Sequence, residues 1–289
     1  MAGVSALEPL IETFDAATGY LDWAAFGPLS PAVRAEMHAD AELLGSGRSS
    51  GIDLVAARLD EARGLVAGAL DCPLDEVVLQ PSTTQGLTHA MQGLEGTVVV
   101  SAQEFASLRV TAGRARDARG LLTVREIDPP HGIVTTDAVA AALTDEVTAL
   151  AVSLVDFRTG ALADLAGLRE LIGDRLLIVD AAQAFGVVDV DWAAADVVCG
   201  HGYTWLRAGR GTGFARFSAA ARERIRPVLS GISGMPGEAA TPGVPAPLPT
   251  ASAYSVAPAD PLAASRLAAA MRELTDAGIA AVAAEVHAR

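Results

Sequence analysis

An aspartate that closes an apolar run is the residue in this chain best placed to do chemistry. Asp180 ends the run Leu176-Leu-Ile-Val179, and an ionised carboxylate there costs desolvation energy unless a cation or several donors meet it. Two readings of it stand: a carboxylate that pairs with a ligand, or a cap on the helix that follows. Gln183, three residues on, can reach the same ligand from the adjoining turn. Ser82, Thr83 and Thr84 precede a helix expected from Gln85, so hydroxyls, backbone N–H groups and the positive helix end converge on one point. That arrangement suits an anion, a phosphate first of all, and it equally suits plain helix capping. His201, after the strand expected over Val197 to Cys199, could donate to the same phosphate or be a satisfied loop residue. Phe105, next to Glu104 at another strand end, is either core or a ring that stacks on a planar ligand.

What is missing narrows the chemistry further. All 21 Lys+Arg residues are arginines, so the chain has no lysine. This closes every reaction that needs an ε-amine: the phosphate lysine of a P-loop, the kinase strand lysine, the Ser-x-x-Lys pair and any lysine Schiff base. A net charge of -14 argues against nucleic acid and anionic membrane partners, which reward clustered cations. The most apolar stretch, Leu176 to Val190, is interrupted by Asp180 and Asp189, short of the roughly 20 apolar residues that span a bilayer. An acidic N-terminal stretch with Glu8, Glu12 and Asp15 does not read as a secretory signal, so a cytoplasmic location is expected. Cys72 and Cys199, both in apolar company, are expected as reduced thiols. No His/Cys/Asp/Glu group has metal-ligand spacing, and no Gly-x-Ser-x-Gly elbow occurs. Gly209-Arg-Gly-Thr-Gly213 fits neither Walker A nor the dinucleotide fingerprint and is set aside as a nucleotide loop.

The elements that must position these residues alternate between helix and strand. Ser30 followed by Pro31 predicts a capped helix through Leu43, and Asp53 to Leu70 predicts a second. Short apolar strands are expected at Glu76 to Leu79, Thr97 to Val100, Leu121 to Ile127, Ala149 to Leu154, Leu176 to Val179 and Val197 to Cys199. Helices are expected at Gln85 to Leu94, Ser107 to Arg119, Thr136 to Leu143 and Leu165 to Ile172. Strands apolar throughout, instead of alternating, predict a mostly parallel sheet covered on both faces, an α/β fold. Pro227 to Pro261, rich in Gly, Pro, Ser and Ala, reads as a long connection; Asp260-Pro261 then opens a helix that Gly278 ends.

In this order the pieces resemble the class V aminotransferase family of pyridoxal 5'-phosphate (PLP) enzymes, which includes cysteine desulfurases, kynureninases and isopenicillin-N-epimerase-like proteins. The likeness runs from Tyr20 to about Gly278. It is carried by Tyr20-Leu-Asp-Trp-Ala-Ala-Phe-Gly27, Gln80-Pro-Ser-Thr-Thr-Gln-Gly86, Ser153-Leu-Val-Asp-Phe-Arg-Thr-Gly160, Val179-Asp-Ala-Ala-Gln183, and Ala195 to Leu206 with Arg210-Gly-Thr-Gly213. The resemblance implies a three-layer fold type I architecture: an N-terminal segment over 1–19, a large PLP-binding domain over 20–250, and over 251–289 a connecting helix as the stub of a small C-terminal domain. It implies that Asp180 pairs with the protonated pyridine nitrogen, that Gln183 contacts the phenolic oxygen, and that Thr84, with its backbone neighbours Ser82 and Thr83, and His201 hold the phosphate. Phe105 falls at the ring-stacking position, where desulfurases carry a histidine, which points away from a desulfurase proper.

Position 204 departs from the family. Where relatives carry the Schiff-base lysine, this chain reads Tyr203-Thr204-Trp205. A hydroxyl forms no imine, so any PLP would be held non-covalently and turnover by the usual route would fall by orders of magnitude. The resemblance therefore implies amino-group transfer or carbon–sulfur lyase chemistry on a small amino acid, impaired in this chain. The alternatives are a non-catalytic PLP-binding relative and a binder of another phosphorylated ligand. It also implies a homodimer, with the Pro/Gly-rich stretch from Ser230 to Pro249 as an interface element.

Overall fold

A computed structural model describes residues 7–237 and 242–288. In chain order the helices and strands are α1 (Glu8–Glu12), α2 (Pro31–Gly45), α3 (Ser49–Ala56), α4 (Arg58–Ala69), β1 (Val77–Gln80), α5 (Thr83–Gly93), β2 (Gly96–Ser101), α6 (Ala106–Arg119), β3 (Leu122–Ile127), α7 (Thr136–Ala140), β4 (Val147–Ser153), α8 (Leu165–Ile172), β5 (Leu176–Asp180), β6 (Val197–His201), β7 (Gly213–Phe217), α9 (Ala219–Arg224), α10 (Pro261–Ala277) and α11 (Ile279–His287). The seven strands form one sheet in the order β1-β7-β6-β5-β4-β2-β3. β7 runs antiparallel to both its neighbours, and the other pairings are parallel.

The expected sheet is present because its strands bury both faces. Leu177 and Val179 of β5 pack into the cluster that contains residues of α2, α4, α8 and α10, while Leu176 and Ile178 pack into the one beneath α5 and α6. Successive side chains of a strand point to opposite faces, so a strand with a helix layer on each side must be apolar at every position. The result is three layers, helix on sheet on helix.

Several local readings differ from the sequence expectation, and α1 and α11 have no counterpart among the expected helices. The helix expected over Asp53 to Leu70 is two, α3 and α4, meeting at Ala57, whose backbone stays right-handed (φ -63°, ψ -18°). α5 starts at Thr83, two residues before Gln85, because Ser82 is the N-cap and its hydroxyl accepts from the Gln85 N–H at 3.2 Å. β7 has no counterpart among the expected strands. Its arginine, Arg216, breaks the apolar signal, yet it is buried and its guanidinium donates to Glu76 at 2.8 Å and to the Trp192 carbonyl at 2.7 Å.

The Pro227 to Pro261 connection is anchored by Tyr254, which is buried, stacks on Phe217 with ring centroids 3.7 Å apart, and donates its hydroxyl to the Ile225 carbonyl. Of the stretch from Ser230 to Pro249, residues 238–241 lie outside the described residues, as do 1–6 of the N-terminal segment. Cys72 and Cys199 are free thiols, and burial pushes both upward in pKa, Cys72 to about 11. Among the described residues no helix is long and apolar enough to cross a membrane.

Candidate functional site

Parallel strands deliver their carboxyl ends to one edge of the sheet, and ligands collect there. At that edge Ser153 ends β4, Asp180 ends β5 and His201 ends β6, with Ser153 in register beside Asp180. A cavity of about 380 Å³ opens there, within the size range of ligand sites. Of the residues singled out from sequence, Phe105, Asp180, Gln183, His201 and Thr204 line it. Thr83 reaches it through His201: Thr83 Oγ1 lies 2.6 Å from His201 Nδ1. Ser82 and Thr84 line a neighbouring depression instead, and the Thr84 hydroxyl bonds Ser107 Oγ at 2.7 Å.

Asp180 is 4% exposed. Its carboxylate accepts one hydrogen bond, from the Ala182 N–H at 2.9 Å, and among the described residues it has no cationic partner. Burial drives its pKa from 3.8 up to about 7, the Ala182 N–H opposes the rise and the nearby Glu104 carboxyl adds to it. Glu104 is itself buried and pushed upward, against two donors from Ser153: its N–H at 2.9 Å and its hydroxyl at 2.5 Å.

His201 is buried and its pKa falls to about 3, because burial and the neighbouring Arg210 guanidinium both disfavour a second proton. Its ring lies flat on Tyr203, centroids 3.5 Å apart and planes 3° from parallel, and the Arg210 guanidinium sits 4.9 Å from the Tyr203 ring centre. Burial raises the Tyr203 hydroxyl while Arg210 opposes it. Two polar atoms at the pocket, His201 Nε2 and Thr204 Oγ1, are buried without a hydrogen-bond partner among the described residues.

Other elements close the pocket. Phe105 and Phe157 meet edge to face, ring centroids 5.1 Å apart, and each is nearly half exposed. Gln183 Nε2 donates to the Ala24 carbonyl at 2.9 Å, which ties the segment 20–27 over the end of β5. That segment is also pinned to residue 204: the Gly27 N–H donates to the Tyr203 carbonyl at 2.9 Å, and a Cβ on Gly27 would lie 2.0 Å from the Thr204 carbonyl oxygen. Only glycine allows that approach.

Sequence reasoning missed Asp22, Ala24, Ala25, Ser153, Val155, Phe157, Ala182, Tyr203 and Arg210 as lining residues. A signal existed for most of them, since they lie in the stretches that carry the family resemblance. Arg210 lies in the glycine-rich loop set aside as a nucleotide motif; the loop delivers a cation to the pocket rim.

Residues 19–237 match the sequence profile of the family described as Aminotransferase class-V, and the chain belongs to that family. Among curated relatives, a "Probable cysteine desulfurase" of Methanothermobacter thermautotrophicus is 30% identical over 225 residues, 73% of this chain and 56% of its own. "Cysteine desulfurase IscS" of Acinetobacter baumannii is 27% identical over 187 residues, 60% of this chain and 46% of its own. The chain thus spans about half the length of the curated relatives it matches. Among solved structures, a lysine-to-alanine mutant of C-DES with glycine covalently linked to the PLP cofactor superposes with a TM-score of 0.82 at 16% identity, covering 92% of this chain and 74% of that one. The cysteine desulfurase CsdA of Escherichia coli superposes at 0.81 and 20% identity, over 96% and 73%. These likenesses show the fold, PLP-dependent fold type I.

PLP is the cofactor of this family, and the residues of the pocket fit it at three points. A buried carboxyl without a cation suits a protonated ring nitrogen, a half-exposed phenylalanine suits a ring face, and the unpartnered His201 Nε2 suits a polar ligand atom. At the fourth point, where a covalent hold needs an amine, the chain has none.

Proposed function

We propose that this class V aminotransferase relative holds PLP non-covalently in the pocket at the ends of β4, β5 and β6, and that it turns over amino acids far more slowly than a lysine-bearing relative. The observation that carries the reading is Asp180, a buried carboxyl with no cation beside it among the described residues, in a pocket that also contains two polar atoms without a partner among them. Bound there, PLP supplies an electron sink for bonds to the carbon that bears an amino group. Asp180 keeps the ring nitrogen protonated. Phe105 covers a ring face, and Gln183 serves the phenolic oxygen. The start of α5, with Ser82, Thr83 and Thr84, holds the phosphate together with His201. Thr204, taken at the position of the family lysine, offers neither an amine for attachment nor a base for the α-proton, and general bases contribute about 10²–10⁴-fold.

The substrate class proposed is a small amino acid, with amino-group or carbon–sulfur chemistry, in keeping with relatives named for cysteine. Phe105 and Thr204 both weigh against desulfurase turnover by this chain. The C-DES mutant with glycine linked to PLP supports a fold that retains the cofactor after a lysine is lost. A cytoplasmic homodimer, with the stretch 230–249 at the interface, completes the proposal.

The test is spectroscopic. PLP added to the protein should give a bound, aldehyde-like visible spectrum, and borohydride should leave no cofactor on residue 204 by mass analysis. Thr204→Lys should shift the band and place the reduced cofactor on that residue. Absence of any shift in the variant would reject the site, and binding of inorganic phosphate without binding of PLP would favour the phospholigand alternative.

A further inference from the structure

We propose that the pocket selects the amine form of the cofactor, pyridoxamine 5'-phosphate, over the aldehyde form, because this chain expects its ligand to bring the nitrogen that a lysine would otherwise supply. The inference rests on the proposed PLP site and goes further in naming which chemical form that site takes. The ionisable side chains on the pocket wall are two carboxyls, Asp22 and Asp180, one guanidinium, Arg210, and the uncharged His201 and Tyr203. None of the 289 residues is a lysine, so no side chain can react with an aldehyde to give a stable link. An aldehyde in this pocket is therefore held by non-covalent contacts alone.

The wall also has acceptor capacity that nothing uses. Thr204 is 2% exposed and its hydroxyl has no partner among the described residues. Thr204 is on the pocket wall, and a buried hydroxyl left unpaired is costly until a ligand meets it. An aldehyde oxygen accepts only, so it can accept a hydrogen bond from this hydroxyl but donates none. A primary ammonium brings three donors, and hydrogen bonds from a charged donor are the stronger kind. It also places the ligand's own nitrogen where the family keeps the lysine nitrogen, with Asp22 on the same pocket wall.

The two forms share the ring, the ring nitrogen, the phenolic oxygen and the phosphate. Every contact except the one at the amine-bearing carbon cancels in the ratio of their affinities, so that ratio isolates the group in question. The experiment is a calorimetric titration of the full chain at pH 7.5 with each form separately, in a buffer free of amines that would react with the aldehyde. Pyridoxamine 5'-phosphate should bind about tenfold tighter or more, the size expected of one charge-assisted hydrogen bond. Thr204→Val, which keeps the shape and removes the hydroxyl, should bring the ratio to within about threefold; Thr204→Ser should keep the preference and guards against a folding defect in the valine variant. Equal affinities, or tighter binding of the aldehyde, would overturn this inference and leave the PLP site standing. Failure of both forms to bind would overturn the site itself.

Discussion

Replacing Asp180 by asparagine separates what the aspartate does for the ligand from what it costs the empty protein. In the folded chain its carboxyl is buried with one N–H donor, and its pKa rises from 3.8 to about 7. A raised acid binds its proton more tightly in the folded state than in the unfolded one. Stability from this group is therefore fully present below about pH 4, falls as pH rises and levels off above pH 7. Between those limits the slope is about 1.4 kcal/mol per pH unit, and the whole loss is about 4 kcal/mol. The asparagine side chain keeps an acceptor for the Ala182 N–H and carries no charge, so the Asp180→Asn variant should lack this slope. Urea denaturation of cofactor-free wild type and Asp180→Asn at pH 5, 6, 7 and 8 reads the difference directly, and other titrating groups largely cancel between the two. The variant should become the more stable protein as pH rises, by about 3 kcal/mol more at pH 8 than at pH 5. It should also bind PLP at least about tenfold more weakly, having lost a charged partner for the ring nitrogen. Parallel stability curves for the two proteins would refute the reasoning, because they would mean that Asp180 is solvated or already paired.

Other perturbations test the frame around the site. His201, held near pKa 3 by burial and Arg210, should stay neutral from pH 8 to 5, and stability from this group should be lost only as pH falls below its unfolded value of about 6.5; an NMR titration of the imidazole with a midpoint near 6.5 would contradict its burial. Glu76→Ala leaves Arg216 buried without its carboxylate between β1 and β6, and should cost about 3–5 kcal/mol in chemical denaturation. Gly27→Ala drives a methyl into the Thr204 carbonyl and should weaken PLP binding by about tenfold or more, on the order of 1.4 kcal/mol, and lower the midpoint of unfolding as well.

How much of the fold could be read in advance follows from how each element is stabilised. β5 and α8 are legible because their signals are local: a run of apolar residues in one, Asp164 capping Leu165–Ile172 in the other, with its side chain accepting from the Gly167 N–H at 3.0 Å. β7 is illegible for the opposite reason. Gly-Phe-Ala-Arg-Phe can bury Arg216 in a central strand because Glu76, 140 residues away in sequence, and the Trp192 carbonyl accept from its guanidinium, and no local pattern reports such distant partners. The α3–α4 boundary at Ala57 has no proline or glycine to announce it.

The site divides along the same line. Asp180, Gln183 and His201 are readable because each sits at or just past the end of an apolar strand, where the fold class says ligands gather. Arg210 is not, because its role is set by where a loop lands. β6 and β7 are joined by a turn that begins at His201 and returns at Gly213, the two residues in register with one another. Everything between them must fold back over the sheet edge. The return is tight: a Cβ on Gly213 would lie 2.6 Å from the Ser82 backbone, so the loop presses against the start of α5. Within it Arg207 adopts a left-handed backbone (φ 60°) and buries its guanidinium against the Phe14 ring and the Thr13 carbonyl, which fixes the loop from behind. With one arginine anchored inside, Arg210 stands at the pocket rim over Tyr203. The two arginines are alike in type and three residues apart, and only the packing behind the loop makes one a structural anchor and the other the pocket's cation.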